Sequence, residues 1–216
     1  MKKAVIFDMD GLMIDSEVAT YKAYLEVMEP MGYKFSVDQY KTLLGRTHRG
    51  IISQFYTMFG DDFPMEQVWD DSHEILDRRI LENVPIKKGL IELLKFLKEN
   101  NYKTIVATSS GRDRTNNILK AADIEKYFDD TICGDEVLYG KPNPEIFLTA
   151  CKKLGVKEED AVVLEDSESG IQAAYSGHID VICVPDMKYP GEDYVNKPIR
   201  IVDSLLDVIT FLKEEQ

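Results

Sequence analysis

From Lys88 onward, short apolar runs alternate with segments of helical periodicity, and a parallel sheet flanked by helices is the architecture that such alternation permits. Residues 104–108, 131–133, 161–164 and 181–184 read as strands, short and rich in β-branched side chains. Residues 89–100, 112–122, 144–154 and 167–175 carry apolar positions at helical spacing, and a last helix is expected over 204–213. One further strand, residues 4–7, opens the chain, but no βα rhythm follows it directly. Residues 16–85 show only helical spacing, interrupted near Pro30, Gly45, Gly60 and Pro85. Aromatics and methionines recur there at helical intervals (Tyr21, Tyr24, Met28; Phe55, Met58, Phe59), which points to a small helical core rather than a cofactor site. The predicted fold is therefore α/β: a Rossmann-like parallel sheet core from residues 1–15 and 86–216, with an all-helical cap domain, 16–85, inserted after strand 1. Both linkers then lie together, and a small helical domain on two short linkers can serve as a lid.

The first strand ends in Asp8-Met9-Asp10-Gly11, two carboxylates two residues apart at the carboxyl end of a strand, where open α/β sheets bind ligands. Acids this close repel unless a proton or cation lies between them. A cation such as Mg²⁺ would leave Asp8 ionised and nucleophilic while Asp10 handles protons.

Three more segments follow strands in the same manner. Thr108-Ser109-Ser110-Gly111 offers hydroxyls and backbone N–H groups before a helix, either as an oxyanion cradle or as an N-cap. Gly140-Lys141-Pro142-Asn143-Pro144 holds a lysine in a turn stiffened by prolines. Glu165-Asp166-Ser167 opens a helix whose dipole favours acids, so one of the pair can be structural. Together they set carboxylate, hydroxyl, ammonium and carboxylate at four strand ends. Phosphoryl transfer needs that set, because it is catalysed by positioning and charge neutralisation.

Composition narrows the partners. The chain has 216 residues, long for one small domain and short for two large ones, in keeping with a core plus an insertion. Lys and Arg number 26 against 39 Asp and Glu, a net charge of −13, which argues against nucleic acid, whose binding rests on basic residues. An anionic substrate would need a local cation. The three cysteines, Cys133, Cys151 and Cys183, lack metal-ligand spacing and read as reduced thiols in or near the core. No apolar stretch reaches membrane-spanning length, and Lys2-Lys3 lead straight into a strand rather than a signal peptide, so a cytoplasmic location is expected. No coiled-coil or exposed apolar pattern stands out, which is compatible with a monomer.

The order Asp8-Met9-Asp10-Gly11, Thr108, Lys141-Pro142, Glu165-Asp166 is similar to the four-motif signature of the haloacid dehalogenase superfamily. Asp15-Ser16-Glu17, Gly140-Lys141-Pro142-Asn143-Pro144-Glu145-Ile146-Phe147 and Leu164-Glu165-Asp166-Ser167 resemble its β-phosphoglucomutase-like branch, and the likeness spans the whole chain. The resemblance implies that Asp8 attacks phosphorus to form an aspartyl-phosphate, and that Asp10 protonates the leaving oxygen and later deprotonates water. It implies that Thr108 and the Ser109 N–H bind the transferring group and that Lys141 neutralises charge. Mg²⁺ would be held by Asp8, the Asp10 carbonyl and Asp166, with Glu165 in support. Gly45-Arg46-Thr47-His48-Arg49 resembles the substrate-specificity loop, making Gly45 and Arg49 candidates for contact with the distal part of the substrate. Asn143 stands where the phosphatase pattern often has Asp, at a supporting position. The mutases carry a histidine soon after the Asp15 region; Val18-Ala19-Thr20-Tyr21-Lys22 has none. The expectation is thus a Mg²⁺-dependent phosphatase for a small phosphorylated metabolite such as a sugar phosphate, with β-phosphoglucomutase as the alternative.

Overall fold

A computed structural model of the protein describes residues 2–44, 46 and 48–214. Among these, six parallel strands form one sheet, with β1 at Ala4–Phe7, β2 at Lys103–Ala107, β3 at Asp130–Ile132, β4 at Ala161–Glu165, β5 at Asp180–Cys183 and β6 at Arg200–Ile201. Their order is β3-β2-β1-β4-β5-β6, so the expected α/β fold with a Rossmann-like parallel sheet is what forms. Strand β6 was not anticipated. It is two residues long, one of them charged, and too short for alternation to register.

Register is set by apolar side chains stacked on both faces. Ile6 pairs with Ile105 on one side and Val163 on the other. Those residues, with Ala4, Ala107 and Val181, pack against Phe147 and Ala150 of α7 (Glu145–Leu154) and Ile171 and Ala174 of α8 (Glu168–Ser176). The alternate residues Val5, Phe7, Val106 and Val162 point the other way, as the period of two requires, and are equally buried. Helix α5 (Leu90–Glu99) packs on β2 and on α9 (Leu205–Glu214), burying Leu90, Leu93, Leu94 and Leu97, each worth about 1.5–3 kcal/mol. Cys133, Cys151 and Cys183 are free thiols in this interior. No helix among the described residues is long and apolar enough to cross a membrane.

The chain divides into two compact units, Met1–Asp15 with Val84–Gln216, and Ser16–Asn83. The second contains α1 (Ser16–Met28), α2 (Val37–Lys41), α3 (His48–Phe59) and α4 (Met65–Glu82). Helix α2 starts in a capping box, Ser36 accepting from the Gln39 N–H while the Gln39 side chain accepts from the Ser36 N–H. The centre of this unit is aromatic: Phe55 is fully buried and stacks on Phe63 with centroids 5.5 Å apart, and Tyr24 lies 5.2 Å from Phe55. In the α/β unit the two crossings are tied side by side. Asp15 N–H donates to Pro85 O, Lys87 N–H donates to Met13 O, and Ile14 bridges both Asp10 and Ile86.

Candidate active site

Strand β1 lies where the sheet order reverses, with β2 on one side and β4 on the other, and such a switch point opens a crevice at the carboxyl ends. Asp8 is the first residue beyond β1, its N–H still bonded to Leu164 O at 3.1 Å. Glu165 ends β4 and Asp166 follows it. Lys141 arrives from the turn before α7, through a cis Lys141–Pro142 peptide. Its Nζ lies 2.5 Å from Asp8 Oδ1, 2.6 Å from Glu165 Oε1 and 3.3 Å from Ala107 O, so all three ammonium donors are used. The three side chains are nearly closed to solvent, 5% exposed for Lys141, 10% for Asp8 and 0% for Glu165.

Glu165 is the supporting acid. Its second oxygen accepts from the N–H groups of Asp166 and Ser167 and from the Ser167 hydroxyl, which itself caps α8 by accepting from Gly170 N–H. Two glycines make room for these carboxylates. A Cβ on Gly170 would stand 1.8 Å from Glu165 Oε1, and one on Gly11, where φ is +85°, would stand 2.2 Å from Asp166 Oδ2. Oxygens of Asp8, Glu165 and Asp166 fall within 4.8 Å of one another.

Burial, opposed by the Lys141 ammonium and reinforced by the Glu165 and Asp10 carboxylates, pushes Asp8 up from 3.8 to about 8. Burial also disfavours charge on Lys141, but the carboxylates of Asp8 and Glu165 outweigh it and raise its pKa. One lysine thus serves both Asp8 and Glu165, with Asp166 close by, and a further cation is what would let Asp8 shed its proton. The donor set is all oxygen, which suits a hard divalent ion such as Mg²⁺.

Thr108 follows β2 and is buried; its Oγ1 accepts from Ser110 N–H at 3.1 Å, leaving the hydroxyl proton as what it can offer a ligand. Ser109 is exposed beside it, and its carbonyl is crowded by Gly134, where a Cβ would come within 2.2 Å. Neither hydroxyl caps α6 (Arg112–Ala121), contrary to the N-cap alternative. That helix starts at Gly111 without a side-chain cap from its own segment, and Asp135 accepts the Arg112 N–H instead.

Asp10 is held in a way that the sequence did not reveal. Arg114 Nη1 donates to Asp10 Oδ2 at 2.8 Å and Nη2 to Oδ1 at 3.0 Å, while Ser110 Oγ donates to Oδ2 at 2.8 Å. The available signal was a second basic residue in the first turn of α6, where the helix dipole disfavours cations.

Asn143 is exposed and its side-chain oxygen accepts from Glu145 N–H at the start of α7, so it shapes that turn rather than supporting the acids. The reason is geometric: its amide turns back along its own chain. Glu145 in turn accepts from the N–H groups of Leu138 and Tyr139, fastening the loop that carries Lys141. Arg49 is exposed in the first turn of α3 in the helical unit, whereas Gly45 and the His48 side chain lie outside the described residues.

Residues 5–184 match the family described as haloacid dehalogenase-like hydrolase. A phosphorylated carbohydrates phosphatase of Thermotoga maritima is 36% identical over 180 residues, 83% of each chain. Hexitol phosphatase B of Escherichia coli is 30% identical over 190 residues, covering 84% of this chain and 83% of that one. Among solved structures, a Thermotoga maritima protein under the provisional name β-phosphoglucomutase superposes with a TM-score of 0.83 at 32% identity over 100% of both chains.

Proposed function

The chain belongs to the haloacid dehalogenase-like hydrolases, and as a phosphatase of that family, we propose, it hydrolyses a small phosphorylated sugar through a covalent intermediate on Asp8. The observation that carries this reading is the Lys141 ammonium bridging Asp8 and Glu165 at the switch point of the sheet.

In the first half-reaction an Asp8 carboxylate oxygen attacks phosphorus, the bond from phosphorus to the sugar oxygen breaks, and Asp10 delivers a proton to that oxygen. In the second, water attacks phosphorus, Asp10 takes its proton, and the bond to Asp8 breaks, releasing phosphate and restoring the carboxylate. Thr108 and the Ser109 N–H receive the equatorial oxygens, and Lys141 keeps Asp8 aimed and offsets its charge. Asp8, Asp166 and the Asp10 carbonyl would hold Mg²⁺, with Glu165 bracing Lys141 and the Asp166 turn. Bound there, Mg²⁺ supplies charge neutralisation for the nucleophile and the phosphoryl oxygens. Gly45 and Arg49 are the candidates for contact with the sugar away from phosphorus.

The similarity of this chain to a phosphorylated carbohydrates phosphatase and a hexitol phosphatase supports a sugar phosphate over other esters. A panel of phosphorylated metabolites with phosphate release as readout, with and without Mg²⁺, tests the reading. Mg²⁺-dependent release from a sugar phosphate is expected. Conversion of β-glucose 1-phosphate to glucose 6-phosphate, primed by the bisphosphate and without free phosphate, would instead establish a mutase.

A further inference from the structure

Asp10 must present one oxygen to the leaving group and then to water, yet its side chain is 29% exposed, and an exposed aspartate turns freely about its two side-chain torsions. Here both of its oxygens are engaged. The guanidinium fork of Arg114 meets both oxygens, at 2.8 and 3.0 Å, which fixes the plane of the carboxylate as a single contact would not. Ser110 completes the clamp. Its Oγ donates to Asp10 Oδ2 at 2.8 Å while accepting from Arg114 Nη1 at 2.7 Å, so arginine and hydroxyl are locked to each other as well as to the acid. Arg114 occupies the first turn of α6, a position that its charge makes unfavourable for the helix itself, and a residue kept against a local preference points to a role elsewhere.

We propose that Arg114, with Ser110, is a positioning residue for the proton-transfer step: it sets the orientation of Asp10 toward the leaving oxygen. This inference rests on the reading of Asp10 as the acid and base of the reaction. Arg114 acts through Asp10 and does not itself meet the phosphoryl group.

The consequence is specific to the leaving group. A sugar alkoxide needs a proton as it departs, whereas p-nitrophenolate does not. The value of kcat/KM reports the half-reaction that forms the phosphoenzyme. In Arg114→Ala it should fall about 10²-fold for the sugar phosphate that the panel shows is turned over fastest, the loss expected of a group displaced by about an ångström. For p-nitrophenyl phosphate it should fall less than about threefold, because that ester asks little of Asp10. Arg114→Lys, whose ammonium reaches one oxygen instead of two, should recover part of the loss. In an Asp10→Asn background, Arg114→Ala should cost almost nothing further, since two residues acting through one group are not additive. Circular dichroism and thermal melts establish that each variant folds, and Arg114→Gln takes the place of the alanine variant if that one does not.

Equal losses for both esters, or a full loss that persists in the Asp10→Asn background, would overturn the proposal and make Arg114 a substrate contact. A wild-type rate in Arg114→Ala beside a slow Asp10→Asn would remove the positioning role alone. A wild-type rate in Asp10→Asn would instead remove the parent reading of Asp10.

Discussion

At the carboxyl edge of the sheet the ionisable side chains Asp8, Lys141 and Glu165 are nearly closed to solvent, whereas at the centre of the helical unit the buried cluster is made of rings, Phe55, Tyr24 and Phe63. The first set is held by hydrogen bonds that each have one geometry, in a setting where every donor of Lys141 has its acceptor. The second is held by contact area, with ring pairs ranging from stacked to edge-on. Substitutions are therefore felt differently in the two places. Removing one partner of the charged set strands the others without solvent, a loss of about 3–5 kcal/mol for a buried pair as well as a loss of chemistry. The aromatic cluster tolerates replacements that conserve volume, at less than about 1.5 kcal/mol.

The sharpest break is Asp8→Asn. It should leave the fold intact and reduce turnover on the order of 10⁶-fold, the scale seen when a covalent nucleophile is removed. Steady-state rates alongside a melting curve check both parts, and measurable turnover at a near-native rate would take the nucleophile away from the charged set.

Next in size is the dependence on pH and metal. The Asp8 carboxyl is raised to about 8, so the metal-free folded state holds a proton that the unfolded chain gives up near 3.8. The stability from this proton is complete below the unfolded value and lost as pH climbs to about 8. Because a ligating carboxylate must first lose its proton, Mg²⁺ affinity should rise with pH and level off above about 8. Calorimetric titration from pH 5 to 9 reads this directly; a flat profile would show that Asp8 is already ionised throughout that range and that burial does not raise it. Chelation of the metal should abolish turnover without unfolding either unit.

How much of this was legible in the sequence follows from the range of the interactions. Asp8 and the Glu165-Asp166 pair were readable because each closes an apolar strand, and Lys141 because prolines stiffen the turn that carries it. The role of Glu165 as brace was half readable, since its position at a helix start admits a structural part. The clamp on Asp10 was not, because Arg114 and Asp10 are brought together only by the pairing of β1 with β2. The capping of α6 by Asp135 was hidden for the same reason: hydroxyls adjacent in sequence looked like caps, and a distant carboxylate took the place. Asn143 misled in the opposite sense, its bond to Glu145 being more local than the role expected of it.

The smallest effect expected belongs to the helical unit. Arg49→Ala should raise KM for the natural sugar phosphate about tenfold, the worth of one charge-assisted hydrogen bond, and leave KM for p-nitrophenyl phosphate unchanged. Equal changes for both esters would place selectivity outside this residue.

Trapping is the most direct measurement. Enzyme with Mg²⁺ and the sugar phosphate turned over fastest is acid-quenched during turnover and treated with borohydride, which reduces an acyl phosphate to an alcohol, and its peptides are read by mass spectrometry. Reduction confined to position 8, and dependent on substrate, is the predicted result. Phosphate release with position 8 unmodified, or with the label on any other side chain, would contradict it.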